Sequence, residues 1–384
     1  MNVDYLIVGA GLSGLVMAER LSSAGARCVV VERRSHLGGN CHDTKDSHGL
    51  FYHPYGPHYF RTSSPVVLDY LSRFTGWREA AYRVRALARG KIWSFPINLR
   101  TYEELIGREA TEDEFRGYLK TPDRPPANSR DAITSIIGTD LYDLFFRDYT
   151  LKHWGRPAEE LDPSVCQRIP IRTNRDDRYF TDSFQAMPDE GYTALFERMV
   201  VASPHLTVHF NMSFEEARAR FPHRHLIYTG PIDAYFHYRF GALPFRTLRF
   251  ELEEKQPHEL DGDGHAQVAL QINYTGMEAF TRTVEVKHVT GQSSRYSNVV
   301  REYPDRYVPG KSEPYYPIPA PAEEQQADLY RQAGAEERDV TFLGRMATYR
   351  YLNMEQAVTL ALHKADELRR RHRWADGEKL KVEN

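Results

Sequence analysis

The segment GAGLSG, Gly9 to Gly14, has the glycine spacing that lets a backbone approach a pyrophosphate. In such a segment the first glycine makes a tight turn and the second admits the phosphate. The third lets the following helix pack closely on the preceding strand. The helix N-terminus that follows stabilises phosphate charge through its free N–H groups. Eighteen residues past Gly14, Glu32 stands where an acid accepts from a ribose hydroxyl. A second group, YGPHYFRTSS from Tyr55 to Ser64, gathers a histidine, an arginine and three aromatics behind a Gly-Pro break. It is too polar for a core strand and too aromatic for an ordinary surface loop.

These residues need elements to hold them. YLIVGA reads as a short strand, GLVMAERLSSAG as a helix ending at Gly25, and RCVVVE as a second buried strand, together a βαβ unit. Residues 65–165 read as mostly helical, broken by the Pro-rich TPDRPPANSR, and residues 205–310 as mostly strand. The last passage, DVTFLGRMATYRYLNMEQAVTLALHKADELRRRH, reads as strand, loop and long amphipathic helix. It ends on the basic RRRHR, the solvated end of that helix, where cations suit the dipole. A final strand-loop-helix predicts that the chain returns to its first domain. The expected fold is α/β: a discontinuous Rossmann-like domain over 1–76, 191–240 and 340–384. A helical domain over 77–167 and a twisted antiparallel sheet domain over 168–190 and 241–339 are inserted into it.

Composition narrows the partners. The 384 residues carry a net charge of −3, so no global basic field recruits nucleic acid, and an anionic ligand must be held by local arginines. Three scattered cysteines form no CxxC, which argues against a disulfide framework or a zinc site and for a reducing compartment. No apolar run approaches a membrane span, and no leader precedes the first strand, so a cytoplasmic setting is expected. His36, His42, His48, His53 and His58 show no metal-ligand spacing, and His223 and His225 stand alone, so no metal is expected. The 24 tyrosines offer flat faces with polar tips.

At ERRSHLGGN, YGPHYFRTS, DYTLKHWG, RIPIR, DDRYF, IYTGPIDAYFHYRFG, FTRTVEVKH, EPYYPI and GRMATYRYLNM the chain resembles the bacterial UDP-galactopyranose mutases, in collinear order through essentially its whole length. The resemblance implies an FAD enzyme, and the glycine pair Gly38-Gly39 directly after Glu32 is likewise a feature of FAD proteins. It implies a non-redox isomerase that interconverts UDP-galactopyranose and UDP-galactofuranose. N5 of the reduced FAD is then the covalent nucleophile at the anomeric carbon, and NAD(P)H is the candidate reductant. No side-chain nucleophile is then needed, and none is found. A homodimer is implied as well.

The resemblance also assigns roles. Arg168 and Arg282 grip the diphosphate, as planar, permanently charged forks suit. Tyr149 and Trp154 hold the uridine end, and Tyr179, Tyr316 and Tyr351 hydrogen-bond the phosphates. Asn98 and Asn273 are further nucleotide contacts. The cofactor set is Gly9, Gly11, Leu12, Gly14, Glu32, Arg33, Gly39, Asn40, His58, Tyr59, Arg345, Leu352, Asn353 and Met354. Asn353 caps a helix aimed at the flavin, and His58 and Tyr59 lie against it. Arg61 and Asn353 stand where the family usually has His and Asp. Arg61 then either meets a substituted sugar or pairs with a nearby carboxylate. Three alternatives stay open: a mutase for UDP-N-acetylgalactosamine or a dTDP-deoxyhexose, an amine-oxidase-like FAD oxidoreductase, and a non-catalytic nucleotide-binding module.

Overall fold

The computed structural model describes residues 3–372, so Arg373 at the end of the basic run lies outside the described residues. Its first sheet has five parallel strands in the order Leu206–His209, Cys28–Val31, Val3–Val8, His223–Tyr228 and Val340–Phe342. Parallel strands covered on both faces read as continuous apolar runs, as in the CVVV of Cys28–Val31. The chain leaves this sheet after Val31, returns at Leu206, leaves again after Tyr228 and returns at Val340. One face is covered by helices Leu12–Ser22, Gly191–Val201 and Met354–His372, whose Leu15, Val16, Leu195, Phe196, Val358 and Ala361 share one buried cluster.

The second sheet has seven strands: Tyr316–Pro317, Phe245–Lys255, Ser297–Arg306, Arg282–Val284, Gln271–Tyr274, Val84–Ala88 and Lys91–Phe95. All its pairs are antiparallel except Gln271–Tyr274 with Val84–Ala88. Register does the positioning. Asn273 stands opposite Arg282, and Arg282 opposite Glu302, so three strands set these residues in one row.

The expected helical domain begins later than residue 77. Trp77–Glu79 joins a small sheet with Phe60–Thr62 and Phe184–Pro188, and Val84–Ala88 and Lys91–Phe95 are the edge of the large sheet. The alternation VRALA, with Val84, Ala86 and Ala88 buried, is a two-residue period set inside a mostly helical region. Helices follow at Leu99–Ile106, Glu112–Tyr118, Ser129–Phe145, Arg147–Trp154 and Ser164–Gln167, packed around Phe115, Ile133, Ile137, Leu141 and Phe145.

Among the described residues no helix is long and apolar enough to cross a membrane. Phe196 is fully buried, and its ring lies where a Cβ on Gly38 would come within 3.0 Å. Phe196→Ala is expected to cost about 3–5 kcal/mol, read as a lowered denaturation midpoint, because the cavity opens in the core cluster.

Candidate active site

The first strand runs into Gly9, whose φ is 104°, and then into helix Leu12–Ser22. A Cβ on Gly14 would stand 2.0 Å from the Gly9 carbonyl oxygen, so the strand–helix turn closes only on glycine. The first turn of that helix holds no acidic residue, which leaves its positive end to an external anion. Glu32 ends the second strand, mostly buried. One carboxylate oxygen accepts from Ala10 N at 2.9 Å and the other from Arg34 N at 3.0 Å. A Cβ on Gly39 would come within 3.0 Å of Gly11 Cα, and Gly38 N donates to Ala10 O at 2.8 Å. Two glycine segments therefore meet backbone to backbone, and a side chain would fill the space between them. This cradle fits an extended dinucleotide such as FAD.

The far end of the cradle is built by the loop of the opening histidine. A Cβ on Gly56 would meet the Phe250 ring at 2.9 Å, so Gly56 lets this loop press against the large sheet. His58 holds its own fold: Nδ1 lies 2.9 Å from Gly56 O, its N–H donates to His53 Nδ1, and its carbonyl accepts from Tyr192. Burial, then the His53 imidazole and the Arg345 and Arg282 guanidiniums, push His58 down to about 3, so its ring is neutral at physiological pH. The Tyr59 ring stacks on Tyr82 at 4.7 Å. Asn353 caps the last helix as expected: its Oδ1 accepts from Gln356 N, and Gln356 Oε1 accepts from Asn353 N. Beside that cap, Arg345 donates to Leu352 O at 2.6 Å, and Met354 begins the helix.

A partly open cleft lies between the large sheet and the helical lobe. Its apolar end is lined by Phe95, Phe145, Phe146, Tyr149, Trp154 and Cys166, and its polar end by Arg168, Arg282, Tyr179, Asn273 and His153. Arg282 lies 2.7 Å from the fully buried Glu302, an ion pair whose angles fall short of a hydrogen bond, and its Nε is buried and donates to nothing. Among the described residues no carboxylate lies within ion-pair distance of Arg168 or Arg345. Their guanidiniums instead face rings, Arg168 at 5.1 Å from Tyr351 and Arg345 at 5.2 Å from Tyr316. Tyr316 and Tyr351 stack at 5.8 Å. Desolvation raises the Tyr351 phenol, but Arg168, Arg345, Arg282 and Arg61 outweigh it and hold its pKa below the ordinary value. The site thus offers excess positive charge and an unfilled buried donor, the chemistry of an anion site.

Most expected residues converge here, Asn98 and Arg33 do something else, and Arg61 takes the carboxylate pairing that was one of its two expected roles. Asn98 is wholly buried and caps helix Leu99–Ile106: its Oδ1 accepts from Arg100 N and Thr101 N, and its amide donates to Ser94 Oγ and Pro96 O. No donor or acceptor is left for a nucleotide. Arg33 is exposed and pairs with Glu313, while Arg34 turns inward to Asn40 Oδ1 at 3.0 Å and over the Tyr55 ring. Arg61 pairs with Asp182 and lies 4.1 Å over Phe180, yet stays close enough to Tyr179 and Tyr351 to perturb both. Sequence reading missed Glu302, His153 and Arg34. His153 sat unremarked inside DYTLKHWG, and Glu302 carries no local signal at all.

Outside the cleft, the fold brings His265, Glu285 and His288 together, which no spacing announced. The two rings stack in parallel at 3.8 Å, and each faces its own oxygen of the buried Glu285, at 3.3 and 3.4 Å. His265 Nδ1 is hydrogen-bonded to Glu285, while His288 Nε2 is hydrogen-bonded to the Gln267 carbonyl at 2.9 Å, so as placed the two rings do not converge on one point.

Comparison with known proteins supplies the remaining facts. A family model described as UDP-galactopyranose mutase matches residues 144–351, and one described as an NAD(P)-binding Rossmann-like domain matches residues 7–74. The chain is similar to a probable UDP-galactopyranose mutase of Klebsiella pneumoniae, 34% identical over 95% of this chain and 94% of that one. It is also similar to a dTDP-fucopyranose mutase of Escherichia coli, 31% identical over 93% of this chain and 96% of that one. A solved structure of reduced UDP-galactopyranose mutase superposes with a TM-score of 0.74 over 96% of this chain and 94% of the other, at 18% identity, which speaks to the fold.

Asn98→Ala is expected to lower stability by about 1–2 kcal/mol through the lost cap while leaving nucleotide affinity unchanged, read by denaturation and UDP titration.

Proposed function

The chain belongs to the UDP-galactopyranose mutase family of flavin-dependent isomerases, and on that premise we propose that it interconverts UDP-galactopyranose and UDP-galactofuranose. The observation that carries the reading is the pairing of a dinucleotide cradle with a cleft that holds Arg168 and Arg282, with Arg345 beside it, against a single buried carboxylate. When bound in reduced form, FAD supplies the nucleophile, its N5, for the anomeric carbon.

The side chains carry the rest. Arg282, with its unfilled Nε, and Arg168 hold the diphosphate of the substrate. As the bond to the sugar breaks, charge grows on the leaving phosphate. Guanidiniums fixed in a water-poor cleft stabilise that charge without reorganising. Tyr179, Tyr316 and Tyr351 donate to phosphate oxygens, with Tyr351 the most acidified by its cationic neighbours. Tyr149 and the phenylalanines give the base a flat apolar seat, and Asn273 lies across from Arg282 to meet the nucleoside. His58, held neutral, and Tyr59 border the cofactor, and Asn353 presents the positive end of its helix. Gly11, Leu12, Gly39 and Asn40 line the pyrophosphate side, and Glu32 serves the adenosine end.

NAD(P)H as reductant and a homodimer are carried by the family resemblance, and a cytoplasmic setting by the scattered cysteines and the lack of a long apolar run. A second reading keeps the reaction and changes the sugar. Arg61 and Asp182 form a polar, charge-compensated pair near Tyr179 and Tyr351, and the Escherichia coli relative is named for a dTDP sugar. An FAD oxidoreductase is the weaker rival, because its substrates give no use for the unpaired guanidiniums.

The test is chromatographic conversion of UDP-galactofuranose by the FAD-loaded protein, oxidised and after dithionite, with UDP-N-acetylgalactosamine and dTDP-fucose run alongside. Conversion of UDP-galactofuranose only by reduced protein is expected. Preference for another sugar would move the assignment to the second reading, and substrate-driven flavin reduction would sink both. Arg168→Ala and Arg282→Lys are expected to lower turnover about 100-fold or more with FAD retained. Gly14→Ala and Glu32→Ala are expected to lose flavin absorbance on gel filtration.

A further inference from the structure

His153 is the penultimate residue of helix Arg147–Trp154 and is only 4% exposed. Its Nδ1 is fully buried and makes no hydrogen bond. A buried polar atom without a partner is costly, so its retention in a ligand cleft points to a state in which it is used. The ring lies parallel to Tyr149 at 5.9 Å, and Tyr316 stands 5.7 Å away. Nδ1 stands 3.9 Å from Glu302 Oε1, one short movement from a hydrogen bond.

Charges reach His153 from every side. Glu302 faces it from strand Ser297–Arg306, Arg282 from the adjacent strand, Arg246 from strand Phe245–Lys255 and Arg168 from the end of helix Ser164–Gln167. Burial first, and then Arg282, Arg168 and Arg246, hold its pKa well below the ordinary value, so in the ligand-free cleft the ring is neutral. A diphosphate diester brings two negative charges among those same guanidiniums. It offsets the cations that disfavour imidazolium and draws Arg282 from Glu302, whereas the ring is already buried and has little further desolvation to suffer.

We propose that His153 is a proton-linked positioning residue: seating a nucleoside diphosphate sugar in the cleft is coupled to uptake of one proton at His153, which then donates to Glu302. The inference rests on the nucleotide-sugar reading above. Glu302 thereby keeps a charged partner whether Arg282 faces it or faces the ligand, and the buried carboxylate is never left alone.

The test is calorimetric titration of the oxidised FAD-loaded protein with UDP-galactose, whose diphosphate diester does not itself titrate near neutral pH. Titrations in phosphate and in Tris, buffers of different ionisation heat, count the protons taken up. For the native chain an uptake approaching one proton is expected near neutral pH, with affinity falling by up to about tenfold per pH unit between the free and the bound ring's pKa and levelling off above the latter. His153→Gln, which keeps an amide in place of the ring, is expected to bind with no uptake and a flat pH profile. Spectra of the native protein labelled with nitrogen-15 histidine should show one imidazole becoming charged on binding, a readout that stands even if the variant does not fold. Binding without proton uptake, or equal uptake by the variant, overturns this proposal while leaving the nucleotide-sugar reading intact. Absence of binding by the native chain overturns both.

Discussion

Arg168 and Arg282 open onto one cleft, Arg345 lies beside it against Tyr316 and Tyr351, and one carboxylate, Glu302, answers the three. That imbalance governs the arrangement of the site. Glu302 can be fully buried because Arg282 lies 2.7 Å away, and Arg282 can sit deep in the sheet because Glu302 is there. Arg168 and Arg345, lacking carboxylates, are met by the faces of Tyr351 and Tyr316, which screen them without cancelling them. Burial first, and then the same positive field, hold His153 and His58 neutral, and the field acidifies Tyr351. A cleft built this way is incomplete until an anion enters it.

The scaffold keeps these charges where they are by register rather than by loops. Asn273, Arg282 and Glu302 occupy neighbouring positions on three adjacent strands, and a one-residue slip would turn each to the opposite face. Across the cleft the helical lobe supplies Tyr149, His153 and Trp154 from one helix, whose last carbonyls accept from Arg246 of the sheet: Nε to His153 O at 2.9 Å and Nη2 to Lys152 O at 3.3 Å. Sheet and helix are thereby tied at the same place where the ligand is to bind.

What could be read from the sequence was local. The strand, GAGLSG, helix and Glu32 lie within thirty residues and impose their own geometry. The Asn353 cap needs only four residues to declare itself, whereas the diphosphate arginines became legible through family likeness rather than through their surroundings. Glu302 was invisible because its partner lies on another strand, and pairing register is a property of the assembled sheet. Asn98 misled because an amide that caps a helix and an amide that meets a nucleotide look the same in a sequence. Arg33 misled because both it and Arg34 reach Glu313, and only Arg34, the more buried of the two, also meets Asn40.

The cradle's two halves come from opposite ends of the chain. Gly9 to Gly14 emerges among the first residues made. Arg345, Leu352 and the helix that begins at Met354 follow it by more than three hundred residues, and that helix shares a buried cluster with Leu12–Ser22. During synthesis the early half must therefore stand open while more than three hundred residues follow it. The buried cluster is completed only once helix Met354–His372 has been made, so the glycine turn and the helix it opens gain their packing late. A chain stopped before Met354 would have the fingerprint and lack the helix packed against it.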